Sequence, residues 1–407
     1  MNRIPNRILQ TMAGAGMAIA LIASAQTPAP PATAPAPADQ PAAAPAAPAA
    51  PTWSVGPMDI SGFIDGYYSV NFNRPHDITI DGTGFQLNQL YNFNDKTDQF
   101  NLSAAKLTLN HDPDPIGAHV DFIYGRTNHF VNGGNADQLD FIEQAFLSIK
   151  PPKAKGFELD FGKFVTVAGA EVIEAKDNWN YSRSLLFTLA IPYYHFGLRT
   201  SMPVSKTDTI GVHVVNGWNS VTKNNGGATI CLMNSYVKPK YTWNANFITG
   251  PENANTTHGF RNLFDSTLLL TPNSKLSAYI NYDYGQNRDG TYTISTSEGP
   301  ITEGDKDLIH WQGIAVAARG QVTGKSALAG RYEYFKDYNG WATGITQNLQ
   351  ELTATYEYKW LEGLLTRVEY RGDFSDRPYF TKNDITFSKK SQQTLTVAFI
   401  AFFGPKR

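Results

Sequence analysis

From Met58 onward the chain alternates apolar and polar positions with a period of two, and helical spacing is scarce. Ile60, Gly62, Ile64, Gly66, Tyr68, Val70 and Phe72 share one parity, while Ser61, Asp65, Ser69, Asn71 and Asn73 dominate the other. Leu276, Ala278, Ile280, Tyr282 and Tyr284 likewise oppose Ser277, Asn281 and Asp283. Leu328, Gly330, Tyr332 and Tyr334 oppose Arg331 and Glu333, and Leu364, Val368 and Tyr370 oppose Arg367, Glu369, Arg371 and Asp373. The last run sets Leu395, Val397, Phe399, Ala401 and Phe403 on one face, with Ile400 and Phe402 blurring the other. Such alternation places one strand face in apolar and one in polar surroundings.

The pattern yields 16 strands: 60–73, 99–110, 117–128, 138–149, 156–166, 192–203, 207–219, 228–238, 239–250, 259–271, 274–286, 309–322, 325–337, 348–360, 363–375 and 390–403. These runs hold 11 to 14 residues. A globular strand usually has about five or six, whereas a tilted strand crossing a membrane needs roughly 9–11. Two boundaries are soft: parity changes at Ala104-Ala105, and 228–250 also reads as one strand. Long and short connections alternate along the whole series, and Asp112-Pro113-Asp114-Pro115, Pro151-Pro152, Pro272-Asn273, Thr323-Gly324 and Glu362-Gly363 supply the tight turns. The expected fold is therefore all-β: a transmembrane antiparallel up-and-down barrel of about 16 strands. Its short turns face the periplasm and its long loops the outside. Closure satisfies every backbone polar group within lipid. Aromatic residues near strand ends (Tyr67-Tyr68, Tyr193-Tyr194, Trp218, Trp243, Trp311, Tyr332, Tyr334, Tyr356, Tyr358, Trp360) suit interfacial girdles.

The first fifty residues belong to neither strand nor core. Arg3 and Arg7 precede an uncharged apolar stretch, Met12 to Ala23, which ends in the small-x-small site Ala23-Ser24-Ala25. That is the layout of a secretory signal peptide, 1–25, with cleavage expected near Ala25. Residues 26–52 hold nine prolines in 27 positions and read as a disordered Pro/Ala linker. The barrel then occupies 53–407.

Composition changes this picture little. The 407 residues carry 34 basic and 36 acidic side chains, a net charge of −2, which argues against a nucleic-acid partner. A mean hydropathy of −0.32 suits a water-soluble protein, but alternation explains it, since each strand dilutes its lipid face with a polar one. The lone Cys231 excludes an internal disulfide and any cysteine-based zinc site. No phosphate-binding glycine loop, nucleophile elbow or dinucleotide fingerprint occurs, so neither cofactor nor catalytic residue is expected. The eight histidines (76, 111, 119, 129, 195, 213, 258, 310) form no close pair in sequence, and no metal site is expected. Asp77, Asp81, Asp95 and Asp98 read as solvated loop charge.

Function therefore rests on the inward parity. It carries Asp65, Asp121, Arg199, Asp265, Asp283, Arg331 and Glu333, and further along Glu357, Lys359, Arg367, Glu369, Arg371 and Asp373. Charge on the lipid face would cost roughly 2–4 kcal/mol for Arg or Lys near the midplane, so these thirteen are expected to line a polar lumen. Both signs recur two residues apart, either as wall-bracing pairs or as a solute-guiding ladder. The third long connection, 167–191, is expected to fold inward as a constriction. Glu171, Glu174, Asp177, Asn178, Asn180, Tyr181 and Arg183 would form the eyelet, and Leu185, Leu186 and Phe187 an apolar anchor.

At this point the sequence resembles the outer-membrane β-barrel porins of the OmpL-like kind. The resemblance is sharpest over Phe161-Gly162-Lys163-Phe164-Val165-Thr166, Gly169-Ala170-Glu171-Val172-Ile173 and Asn178-Trp179-Asn180-Tyr181-Ser182-Arg183-Ser184, with Pro192, His195, Gly197 and Arg199 close behind. Gly62-Phe63-Ile64-Asp65-Gly66-Tyr67-Tyr68 and Arg331-Tyr332-Glu333-Tyr334 also look like that family. It implies a pore in the outer membrane of a Gram-negative-type bacterium. Its partners would be outer-membrane lipid and lipopolysaccharide, the barrel-insertion machinery and small hydrophilic solutes. Porins of this size are commonly homo-trimers. The tail departs from the common porin pattern, because Gly404-Pro405-Lys406-Arg407 follows the last aromatic, Phe403. The leading expectation is a water-filled channel for passive diffusion of small solutes or ions. Its rivals are a non-channel barrel for envelope anchoring or adhesion and, last, a lipid hydrolase on a barrel scaffold.

Overall fold

The computed structural model describes residues 54–405 except 56, 76–77, 81–82, 86, 134–139, 258, 289–290, 297–298, 305–307 and 384–385. The chain divides into two units, Met1–Ala47 and Pro48–Arg407. The expected signal peptide (1–25) and linker (26–52), the latter running past the first unit's end, lie outside the described residues, as do Asp77, Asp81, His76 and His258.

Sixteen long strands follow one another: β1 (Met58–Asn71), β2 (Phe100–His111), β3 (Ile116–Tyr124), β4 (Ile142–Ile149), β5 (Glu158–Val165), β6 (Tyr194–Pro203), β7 (Asp208–Val215) and β8 (Thr229–Lys238). Then come β9 (Tyr241–Pro251), β10 (Phe260–Asn273), β11 (Leu276–Asn287), β12 (Ile309–Gln321), β13 (Ser326–Asp337), β14 (Gln347–Leu361), β15 (Leu364–Ser375) and β16 (Ser391–Phe403). Each pairs antiparallel with its neighbours in sequence. β16 closes on β1, from Gly62↔Phe403 to Asn71↔Thr394. The result is a closed 16-stranded meander. Among the described residues no helix is long and apolar enough to cross a membrane.

All sixteen expected strands exist, and 228–250 is two strands joined at 239–240. Strand lengths are more varied than the pattern implied. β4, β5 and β7 have 8 residues, whereas β14 has 15. The run 117–128 overshoots, because the chain leaves the wall after Tyr124 and forms helix α1 (Arg126–Asn132). The parity change in β2 is a bulge. Pairing slips between Asp65↔Ala104 and Gly66↔Leu102, so Ser103 and Ala104 both point inward and both are buried. Short connections gather at one end and long loops at the other, although 150–157 is no shorter than 252–259. Gly363 takes φ +83° in the 362–363 turn, a conformation few other residues adopt.

The outward parity is apolar and exposed: Ile64, Leu147, Phe161, Ile280, Tyr332, Leu352, Tyr356 and Phe399 all present large side chains there. Trp243 and Trp360 also face out, as girdle residues should. Tyr67, Tyr194 and Trp311 do not; all three are buried. Trp311 lies so close over Gly285, its partner on β11, that a Cβ there would meet the ring at 2.0 Å. These aromatics belong to a packed interior rather than to the girdles.

Candidate functional site

Two long loops turn back into the barrel. The principal one runs from Thr166 to Tyr193, between β5 and β6, and its local folding is set by its own side chains. Asn178 accepts from the Val172 amide (3.0 Å) and donates to the Val172 carbonyl (2.7 Å), which pins 172–178 into a closed turn. Ser184 caps the short helix α2 (Leu185–Leu189) by accepting from the Phe187 amide at 2.9 Å. The apolar part, Leu185, Leu186 and Phe187, packs into one buried cluster with wall residues Ile248, Leu263, Trp311 and Phe335. A second cluster joins Ala175 and Tyr181 to Ala398 and Ile400 of β16. Ile400, an anomaly in the alternation, is thus an inward apolar contact for the loop.

The wall charges fasten this loop. Arg331 on β13 donates to Glu171 (2.5 Å), the Ser182 carbonyl (2.8 Å) and Glu351 (2.9 Å). Two residues on, Glu333 accepts from the Leu185 (2.9 Å) and Leu186 (3.1 Å) amides, which open α2. On β15, Arg367 donates to the carbonyls of Ala175 and Asn178, both at 2.5 Å. Glu369 accepts from the Tyr181 (2.5 Å) and Ser182 (2.8 Å) amides. Arg371 donates to the Arg183 carbonyl at 2.7 Å and pairs with Asp373 at 2.8 Å. Arg183 itself folds back on the Tyr181 carbonyl (2.5 Å) and the Ile173 carbonyl. Asp65 accepts from the Tyr181 hydroxyl (2.8 Å), Asp265 from the Gly169 amide (3.0 Å), and Thr355 from the Asn180 amide group (2.8 Å). Asp283 sits opposite Asp265 in the β10–β11 ladder.

Parity is thus as expected, but the surroundings are not. Asp65, Asp121, Asp265, Asp283, Arg331, Glu333, Arg367, Glu369, Arg371 and Asp373 are each at most 2% exposed. They were expected to line water; instead most of them meet the loop that fills the space beside them, and Asp121 meets wall partners. Among the thirteen, Arg199, Glu357 and Lys359 keep appreciable exposure. Arg199 pairs with Asp160 at 2.7 Å and is 23% exposed. It lies over the rings of Phe146 and Phe164, at 5.0 and 4.6 Å. Glu357 holds both Arg319 and Arg367 at 2.8 Å.

On the β2–β4 side, Asp121, Glu143 and Glu174 bring carboxylate oxygens within 4.8 Å of one another. The Lys106 ammonium sits among them, 2.9 Å from Asp121, 2.6 Å from Glu143 and in contact with Glu174. It takes the position a metal cation would need. Burial pushes the Glu174 carboxyl up, and the adjacent ammonium reverses this and holds it below its ordinary value. His119 adds a 3.0 Å contact to Asp121.

Sequence reasoning missed several participants. Lys106, Glu143, Asn246, Asn281, Arg319 and Glu351 all sit on the inner wall, and parity alone would have found most of them. The other inward loop, 87–98, was also missed. Tyr91 meets Thr394 at 2.5 Å, Asn88 accepts from Asn71 at 2.9 Å, and Asp95 pairs with Arg126 at 2.6 Å. Phe93 is buried against Phe130, Phe187 and Tyr193. Its signal was the apolar-in-asparagine pattern Leu90-Tyr91-Asn92-Phe93-Asn94, unlike a solvated loop.

Comparison with known proteins places these features. The family model described as "Putative beta-barrel porin-2, OmpL-like" matches residues 57–403. Among solved structures, the chain is similar to the outer-membrane protein OmpT of Vibrio cholerae in its trimer form, with a TM-score of 0.53 and 12% identity, covering 85% of this chain and 99% of that one. It is similar to the anion-selective porin of Comamonas acidovorans, at 0.53 and 9%, covering 85% and 99%. It is also similar to the outer-membrane channel DcaP of Acinetobacter baumannii, at 0.53 and 12%, covering 85% and 96%. No curated protein matches the chain by sequence.

Proposed function

The chain belongs to the OmpL-like beta-barrel porin-2 family, and from that premise we propose that it is an outer-membrane channel that passes small hydrophilic solutes by passive diffusion. The 167–191 loop would set the narrowest cross-section. The observation that carries this reading is the set of charge-assisted bonds from Arg331, Glu333, Arg367, Glu369 and Arg371 to that loop's backbone. A segment held this way stays at one depth and width, as a size filter must. Glu171, Glu174, Asp177, Asn178, Asn180, Tyr181 and Arg183 then act as its frame. Arg199, Glu357 and Lys359 act as lumen-facing charges. No catalytic step belongs to this reading. Refolded protein in a planar bilayer should give discrete, voltage-independent openings. Neutral polymers should block entry above a sharp size limit.

Assembly as a homo-trimer is part of the proposal. β4, β5 and β7 have only 8 residues. At about 3.3 Å per residue and a tilt near 40°, such strands span roughly 20 Å, short of the ~25 Å apolar band of these barrels. Neighbouring subunits would cover the outward Ile116, Leu147 and Phe161 on that side. An unheated gel of the refolded protein should run as a trimer and fall to a monomer on boiling. Lipopolysaccharide, outer-membrane lipid and the barrel-insertion machinery are the other partners, the 1–25 segment would direct export, and 26–52 would serve as a tether. A second reading, an anchoring barrel without conductance, draws on the burial of ten lumen-parity charges. Silence in the bilayer under all conditions would select it.

A further inference from the structure

At the short-turn end, between the loop's lowest turn and the walls of β12, β14 and β15, lies a cavity of about 570 Å³. Its charged lining is one-sided: Lys176, Arg319, Lys325, Lys359 and Arg367 against Asp177 and Glu357. Glu357 is shared by Arg319 and Arg367, and Lys176 pairs with Asp177 at 2.6 Å. Lys325 reaches the Trp360 carbonyl at 3.4 Å, and Lys359 is exposed. Five cations less two anions leave +3 in a cavity whose back wall is a β-barrel in lipid. The balance differs from the whole chain, which is −2. Low-dielectric walls focus such a field on the passage. At physiological salt the Debye length is about 8 Å, comparable with a cavity of this size, so screening is incomplete.

We propose that this cavity is an anion subsite at the periplasmic mouth, which draws in and holds small solutes carrying a carboxylate or phosphate group and makes the channel prefer anions. The Arg319 and Arg367 guanidinium groups, already held by Glu357 and the loop carbonyls, contribute field, and the exposed Lys325 and Lys359 ammonium groups at the rim are the ones that meet the anion. The proposal rests on the diffusion-channel reading for its effect on current, but not for the binding itself.

The test uses full-length refolded protein and a K325E/K359E double variant, both changes lying in exposed positions outside the loop anchors. Reversal potentials in a tenfold potassium chloride gradient should favour chloride for the unaltered protein. The variant should lower the chloride-to-potassium permeability ratio by about threefold or more. Inorganic phosphate on the periplasmic side should reduce chloride current through the unaltered protein and affect the variant less. A conducting channel with no anion preference, or a variant that leaves the ratio unchanged, overturns the proposal. A shifted ratio with no phosphate block overturns the subsite and leaves only a field. If the protein does not conduct, the diffusion reading fails separately. Phosphorus line broadening of inorganic phosphate with the detergent-solubilised protein then decides: broadening lost in the variant supports the subsite, and none in either protein overturns it.

Discussion

Arg331 on β13 and Arg367 and Arg371 on β15 point into the barrel in the same sense as Arg199 on β6, yet the two stretches of wall use their arginines differently. The first three are at most 1% exposed, and their guanidinium groups meet loop carbonyls at 2.5 to 2.8 Å. Arg199 is 23% exposed and bonds to its wall neighbour Asp160 while lying over two aromatic rings. The tall strands β12 to β15 hold a loop against themselves. On the short strands β3 to β5, Asp121, Glu143 and Lys163 are buried as well, and Arg199 on β6 is the guanidinium that stays nearer water. An inward position therefore fixes a direction but not an environment. What decides the environment is whether another segment of the chain comes to rest there.

This contrast can be tested by removing one arginine at a time. Arg331→Met should have the largest effect, because it strands Glu171, Glu333 and Glu351, each a buried carboxylate near its guanidinium. Removing one partner from such a buried set costs about 3–5 kcal/mol, and urea unfolding of the lipid-embedded barrel would read it. A cost below about 1 kcal/mol would mean that the network is not anchored as described. Arg367→Ala should come next. It leaves the Ala175 and Asn178 carbonyls without their charged donor and should cost about 1–3 kcal/mol. It should also raise the noise of the open channel as the loop's lowest turn loosens. Arg199→Met should be the mildest, within about 1 kcal/mol, since its ion pair is partly wetted. Its imprint should appear in conductance rather than in unfolding, and the reverse pattern would erase the distinction between the two walls.

Much of this architecture is legible in the sequence. Strand number and order followed from alternation, since lipid and polar interior impose opposite chemistry on successive residues. Turn chemistry at Thr323-Gly324 and Glu362-Gly363 located the tight ends. What alternation could not supply was the content of the lumen. Asp65 and Arg371 look like water-lining charges by parity, but whether water or chain faces them depends on contacts more than a hundred residues away. The clues that were present appeared as irregularities. Ile400 broke the polar face of β16 because Ala175 and Tyr181 pack near it. Ala104 broke the parity of β2 because a bulge turns Ser103 and Ala104 inward together. Tyr67, Tyr194 and Trp311 looked like girdle residues because strand-end position alone does not separate outward from inward aromatics.

If the 167–191 loop, fastened to β13 and β15, sets the channel's cross-section as proposed, removing it must widen the pore. The most direct measurement is single-channel conductance of the protein lacking residues 172–184 beside that of the full chain, both refolded and shown to be closed barrels by heat-dependent gel migration. The shortened protein should show a clear rise in conductance and pass larger neutral polymers. Equal conductance and an equal polymer limit would contradict that role for the loop.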